Sequence, residues 1–129
     1  MISDRQLLIK LNEQFGFTTF RDGQQETIKA VLNHQDTLAI LPTGGGKSLL
    51  YQMPGYLLSG TVLIVSPLIS LMQDQVDRLH RSGEKRVLMI NGQLTGKSRH
   101  QALSLIHISF LLVEMKELRQ ATYQKLPVL

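Results

Sequence analysis

The chain alternates two kinds of hydrophobic pattern. Continuous apolar runs bounded by turn residues occupy positions 37–41, 61–65, 86–90 and 110–113, which is the signature of short strands buried on both faces of a sheet. Between and before them, apolar residues recur every three or four positions. Leu7, Leu8 and Leu11 predict a helix over 4–14, with Ser3 or Asp4 as its cap, and Ile28, Val31 and Leu32 predict a second over 22–33, capped by Asp22. Leu49, Leu50 and Met53 predict a third helix from 47, disrupted at Pro54-Gly55 and extended by 56–58 beyond a kink. Leu71, Met72, Val76 and Leu79 predict a fourth over 69–81, and further helices are expected at 95–105 and 114–120. Strands alternating with helices imply right-handed βαβ crossovers and a three-layer α/β fold around a mostly parallel sheet.

The first apolar run delivers the chain to Leu41-Pro42-Thr43-Gly44-Gly45-Gly46-Lys47-Ser48. Consecutive glycines let backbone N–H groups approach phosphate oxygens that a Cβ would keep away, and a helix N-terminus behind them favours negative charge. Lys47 is placed to reach the β/γ-phosphates of a nucleotide, and the Ser48 hydroxyl to ligate the Mg²⁺ that bridges them. The general phosphate-loop pattern has a glycine where this chain has Leu41. In parallel α/β sheets ligands bind at the carboxyl ends of the strands, and this loop follows one of those ends.

Three of the four phenylalanines fall in Phe15-Gly16-Phe17-Thr18-Thr19-Phe20-Arg21-Asp22-Gly23-Gln24. An aromatic ring stacks on a base, and a Gln amide pairs at once with a donor and an acceptor on the edge of adenine. A hydrophobic staple between two helices explains the same spacing. At 129 residues, with 43% hydrophobic and 19% charged residues, the chain is sized for one folded domain. It has no Cys, which excludes disulfides and thiolate metal sites. Its N-terminus carries no basic segment followed by an apolar one, and no stretch is long enough to span a bilayer, so a cytoplasmic chain is expected. The net charge of +4 is compatible with a polyanionic partner and does not require one. His34, His80, His100 and His107 show no paired metal spacing and are expected at the surface or in packing.

With these stretches in view, the chain resembles the first motor domain of the RecQ-family ATP-dependent DNA helicases of superfamily 2. The aromatic block is similar to that family's adenine-recognition motif. Residues 41–54 resemble its first nucleotide motif, in which a Leu or Met opens the glycine loop. Val65-Ser66-Pro67-Leu68-Ile69-Ser70-Leu71-Met72-Gln73-Asp74-Gln75-Val76 resembles the motif that lies beside single-stranded DNA. The resemblance implies a RecA-like fold, a bacterial and nucleoid-associated setting in DNA repair and recombination, and ATP and Mg²⁺ as cofactors. It also implies that Phe17 stacks on adenine while Gln24 bonds its edge with Arg21 nearby, and that Thr43, Gly44, Gly45, Gly46, Lys47 and Ser48 hold the phosphates. Ser66, Pro67 and Ser70 are implied beside DNA phosphates.

The last quarter departs from that pattern. Val113 runs straight into Glu114-Met115-Lys116 where the family has a Ser- or Ala-Pro-Glu triplet, and no Asp-Glu-x-His block follows to hold Mg²⁺ and orient water. The expected organisation is therefore an N-terminal helical segment with the adenine motif at 1–36, a partial ATP-binding domain at 37–113 and an aberrant tail at 114–129. The chain reads as an incomplete N-terminal piece that binds nucleotide without efficient turnover. Glu114 is the acid that its context offers as a substitute, against the plainer role of a solvated first-turn carboxylate. Lys97, Arg99 and His100 are read as a solvated helix face in preference to a DNA contact. Two other readings stay open: a non-catalytic nucleotide- or DNA-binding module, and the ATPase domain of an RNA-directed superfamily 2 helicase.

Overall fold

A computed structural model of the chain describes residues 1–91 and 110–114. The helix expected at 95–105 and the one expected from 114 onward lie outside the described residues. The chain divides into two compact units, Met1–Ser59 and Gly60–Leu129.

In the first unit, α1 (Asp4–Phe15) begins with a capping box: Gln6 N–H donates to the Ser3 hydroxyl (3.3 Å) while Ser3 N–H donates to Gln6 Oε1 (2.8 Å). Ser3 is thus the cap, an arrangement worth about 1 kcal/mol, and Asp4 is left to pair with Lys29 of the next helix at 2.7 Å. That helix, α2 (Gln24–Leu32), starts later than the periodicity predicts. Gly23, at φ 80°, takes the N-cap position, with no side-chain cap. Asp22 therefore does not cap the helix, because the left-handed turn at Gly23 puts it one residue too far from the free N–H groups. The Thr27 hydroxyl instead donates to Gly23 O (2.6 Å). α3 (Leu49–Leu57) runs through Pro54 without the expected break. Proline removes one donor from a nine-residue helix, and the buried Leu49, Met53 and Pro54 hold it in place. Leu7, Leu11, Ile28, Leu49 and Met53 form the core, with Phe15, Phe20, Leu32, Leu50 and Leu57 packed around it. Each such buried side chain contributes about 1.5–3 kcal/mol of transfer free energy.

Residues 37–41 form no strand in the described structure, contrary to the pattern. Leu38 and Ile40 are 88% and 85% exposed. An apolar run becomes a strand only when an edge supplies ladder partners, and among the described residues none pairs with it.

The second unit holds β1 (Val62–Ser66), α4 (Ile69–Arg81), β2 (Val87–Ile90) and β3 (Phe110–Glu114). β3 lies between the other two and pairs in parallel with both, Val62 to Ser66 against Phe110 to Glu114 and Val87 to Ile90 against Phe110 to Val113. α4 packs on the strands through Met72, Val76 and Leu79. In β1 burial is one-sided: Leu63 and Val65 alternate outward at 54% and 43% exposure, whereas the sequence predicts a strand covered on both faces.

Beyond α4, Gly83 at φ 92° turns the chain back, Glu84 N–H donating to Leu79 O (3.0 Å). The Glu84 side chain is 6% exposed and accepts from Arg86 N–H (2.8 Å), Nε (3.1 Å) and Nη2 (3.1 Å). Hydrogen bonding from the Arg86 side chain holds its carboxyl below the usual carboxylate range, against the opposite push of burial.

Two expectations follow. A depressed folded-state pKa contributes stability that is complete above the unfolded-state value of about 4.3 and is lost as pH falls through the folded value. Glu84→Gln should therefore be less stable than the parent chain near neutrality, with the gap closing on acidification in urea-melt series. His34, at φ 56°, occupies the left-handed residue past α2, its N–H donating to Val31 O (2.9 Å). Glycine relieves the steric cost there, so His34→Gly should raise stability by up to about 1 kcal/mol, read as a higher urea midpoint at unchanged slope.

Candidate nucleotide site

Gly16, at φ 73°, closes α1 by donating its N–H to Asn12 O (2.9 Å) and swings the aromatic block away from the helix. The three rings then separate by role. Phe15 and Phe20 pack on the core, Phe15 meeting Tyr56 edge-on at 5.7 Å, while Phe17 is 54% exposed. Packing and a free ring thus both occur in the block, at different residues.

Gln24, the first residue of α2, is 4% exposed. Its Oε1 accepts from Arg21 N–H (2.9 Å), and its Nε2 donates to Gly46 O (3.1 Å). Arg21 Nη1 donates to Gly44 O. The residues expected to read a base are therefore fastened to the carbonyls of the phosphate loop. A primary amide has two donor hydrogens and two acceptor lone pairs, so one of each remains on Gln24 for a base edge.

The loop itself is a turn closed by Gly45 N–H donating to Pro42 O (2.8 Å). Gly46 has φ 80°, and a Cβ there would overlap the Gln24 amide nitrogen; at Gly45 it would stand 2.8 Å from Pro42 O. Among the described residues, the N–H groups of Gly44, Gly46 and Lys47 donate to no protein acceptor. Lys47 is exposed and has no ion-pair partner among the described residues. Helix α3 starts at Leu49, two residues later than predicted, with Ser48 as its N-cap in right-handed helical backbone and Gln52 N–H donating to Ser48 O (3.0 Å). Free donors, a cation and a half-buried hydroxyl on consecutive residues suit the phosphates of a nucleotide.

The second unit carries the other predicted residues. Ser66 ends β1 and is buried, its hydroxyl engaged with Leu68 N–H (3.3 Å) and Leu68 O (3.4 Å); Pro67 and Ser70 are exposed at the start of α4. Glu114 ends β3 directly opposite Ser66 in the parallel register. No group of three His, Asp or Glu side chains that could hold a metal ion occurs among the described residues. Periodicity missed the ties from Arg21 and Gln24 to the loop, because their partners lie 23 and 22 residues away. The available signal was a glutamine at the buried start of an amphipathic helix. No helix among the described residues is long and apolar enough to cross a membrane.

Residues 21–126 match the family model for DEAD/DEAH box helicases. The chain is 51% identical over 113 residues to a probable ATP-dependent DNA helicase RecS of Bacillus subtilis, covering 88% of this chain and 23% of that protein. It is 53% identical over 73 residues to the ATP-dependent DNA helicase RecQ of Haemophilus influenzae, covering 57% of this chain and 12% of that one. Against the ATP-dependent helicase SGS1 of Saccharomyces cerevisiae the figures are 41% over 104 residues, 78% and 7%. The chain thus spans less than a quarter of the length of these relatives.

Gly46→Ala puts a methyl group into the Gln24 amide at a left-handed φ. We expect it to weaken nucleotide binding by tenfold or more, about 1.4 kcal/mol or above, in equilibrium titrations with a fluorescent ATP analogue.

Proposed function

The chain belongs to the DEAD/DEAH box helicase family, and from that premise we propose that it is the ATP-binding part of a motor that hydrolyses ATP to move along single-stranded DNA and separate duplex. One observation carries the nucleotide half of this reading: the N–H groups of Gly44, Gly46 and Lys47, which have no protein acceptor among the described residues, beside the Lys47 ammonium and the Ser48 hydroxyl. The DNA half is supported by relatives named as DNA helicases, which also favours DNA over RNA as the track.

In this reading Phe17 stacks on adenine, the remaining donor and acceptor of Gln24 meet its edge, and Arg21 adds positive charge nearby. The N–H groups of the loop from Thr43 to Ser48 take the phosphate oxygens. Lys47 reaches the β/γ-phosphates, and the Ser48 hydroxyl would hold Mg²⁺. Mg²⁺, when bound, neutralises charge that develops on the transferred phosphoryl group. Ser66, Pro67 and Ser70 lie against DNA phosphates, which small hydroxyl and N–H groups position without reading sequence. The chain then comprises a helical segment with the adenine motif at 1–36, a three-layer ATP-binding domain in part at 37–113, and a tail at 114–129. Its setting is the cytoplasm.

The sequence contains no Asp-Glu-x-His block. Metal, positioned water and a transition-state cation carry most phosphoryl-transfer catalysis, an arginine finger alone being worth about 10³–10⁵ in rate. The 129 residues by themselves therefore bind nucleotide with negligible turnover. Phosphate release with single-stranded DNA present should match the Lys47→Ala blank, while ATP should bind more tightly than GTP. Turnover above the blank would assign the missing acid to another residue, with Glu114 first to test. Equal binding of GTP would remove the base-reading roles of Phe17 and Gln24.

A further inference from the structure

We infer that Gln24 positions the phosphates of the nucleotide as well as its base, by aiming the Lys47 N–H. The inference rests on the nucleotide-binding reading and adds a second role to one of its residues.

The argument is one of peptide geometry. The Gly46 carbonyl and the Lys47 N–H belong to the same planar trans peptide, so they point in opposite directions. Gln24 Nε2 holds the Gly46 oxygen at 3.1 Å, and Gln24 is itself 4% exposed and fixed through Oε1 to Arg21 N–H. The Lys47 N–H is thereby directed away from Gln24, and it has no protein acceptor among the described residues. A glycine at φ 80° has unusual freedom to rotate this peptide, and the amide of Gln24 removes that freedom before any ligand arrives. Arg21 acts likewise one peptide earlier. Its bond to Gly44 O turns the Gly45 N–H the other way, onto Pro42 O at 2.8 Å, which closes the turn. Arg21 also carries charge that attracts any anion, whereas Gln24 is neutral and isolates the geometric effect.

A residue that serves only the base has no influence on a ligand without one. The test is calorimetric titration of inorganic tripolyphosphate with Mg²⁺ into the chain, its Gln24→Met and Gln24→Ala variants, and Lys47→Ala as the blank. Methionine keeps the length and neutrality of the side chain and lacks the donor. Tripolyphosphate should bind both Gln24 variants about tenfold more weakly than the parent, the loss expected of one charge-assisted hydrogen bond. The amide resonance of Lys47 should shift between parent and Gln24→Met with no ligand present, while retained dispersion of the other amide resonances reports that the variant is folded. Undiminished tripolyphosphate binding in a folded Gln24→Met that has lost discrimination of ATP from GTP would overturn the inference and leave the base-reading role standing. Tripolyphosphate that binds the parent no better than Lys47→Ala would overturn the phosphate loop itself, and the inference with it.

Discussion

The candidate site depends on a buried amide having to find its partners. Gln24 lies at the start of α2, out of water, where an unpaired primary amide costs several kcal/mol, on the order of 2–7 depending on the reference. Two backbone groups satisfy it, one three residues back and one 22 residues ahead. The second ties the phosphate loop to the helix. Ile28 on α2 and Leu49 and Met53 on α3 share one core, so the helices on either side of the loop are held at the ends that the amide joins. The glycines complete the arrangement, since a side chain at Gly46 would occupy the space of the amide that fixes it.

Polar burial organises the second unit in a similar way. Glu84 sits under the end of α4 and is satisfied by three donors from Arg86, which fixes the passage from helix to β2. α4 covers one face of the three parallel strands through Met72, Val76 and Leu79. The strand ends carry Ser66 and Glu114 side by side in register, at the edge where parallel sheets place their ligands.

The chemistry legible in this chain is that of holding a nucleotide, and the chemistry of cleaving it is thinly represented. The glycines, the lysine and the serine of the loop are contiguous in sequence and are therefore present in any segment that contains it. Water positioning and charge stabilisation in the transition state are supplied, in phosphoryl-transfer enzymes, by residues distant from the cradle.

Local pattern settled much of the architecture on its own. α4 was readable to its ends, and β1, β2 and β3 to within a residue, because helical period and apolar runs report directly on burial. The glycine loop from Thr43 to Ser48 stood out by residue type at fixed spacing, whereas the spacing of the aromatic block fitted a hydrophobic staple as well as a base-reading face. Tertiary structure decided what depends on distant partners. The apolar residues 37–41 found no ladder among the described residues, Leu63 and Val65 faced outward, α3 passed through Pro54 on the strength of its packing, and Gly23 displaced Asp22 as the cap of α2. Above all, the pairing of Arg21 and Gln24 with Gly44 and Gly46 could not be read from spacing. A hydrogen bond across more than 20 residues leaves no period in the sequence, and it exists only once the helices have packed.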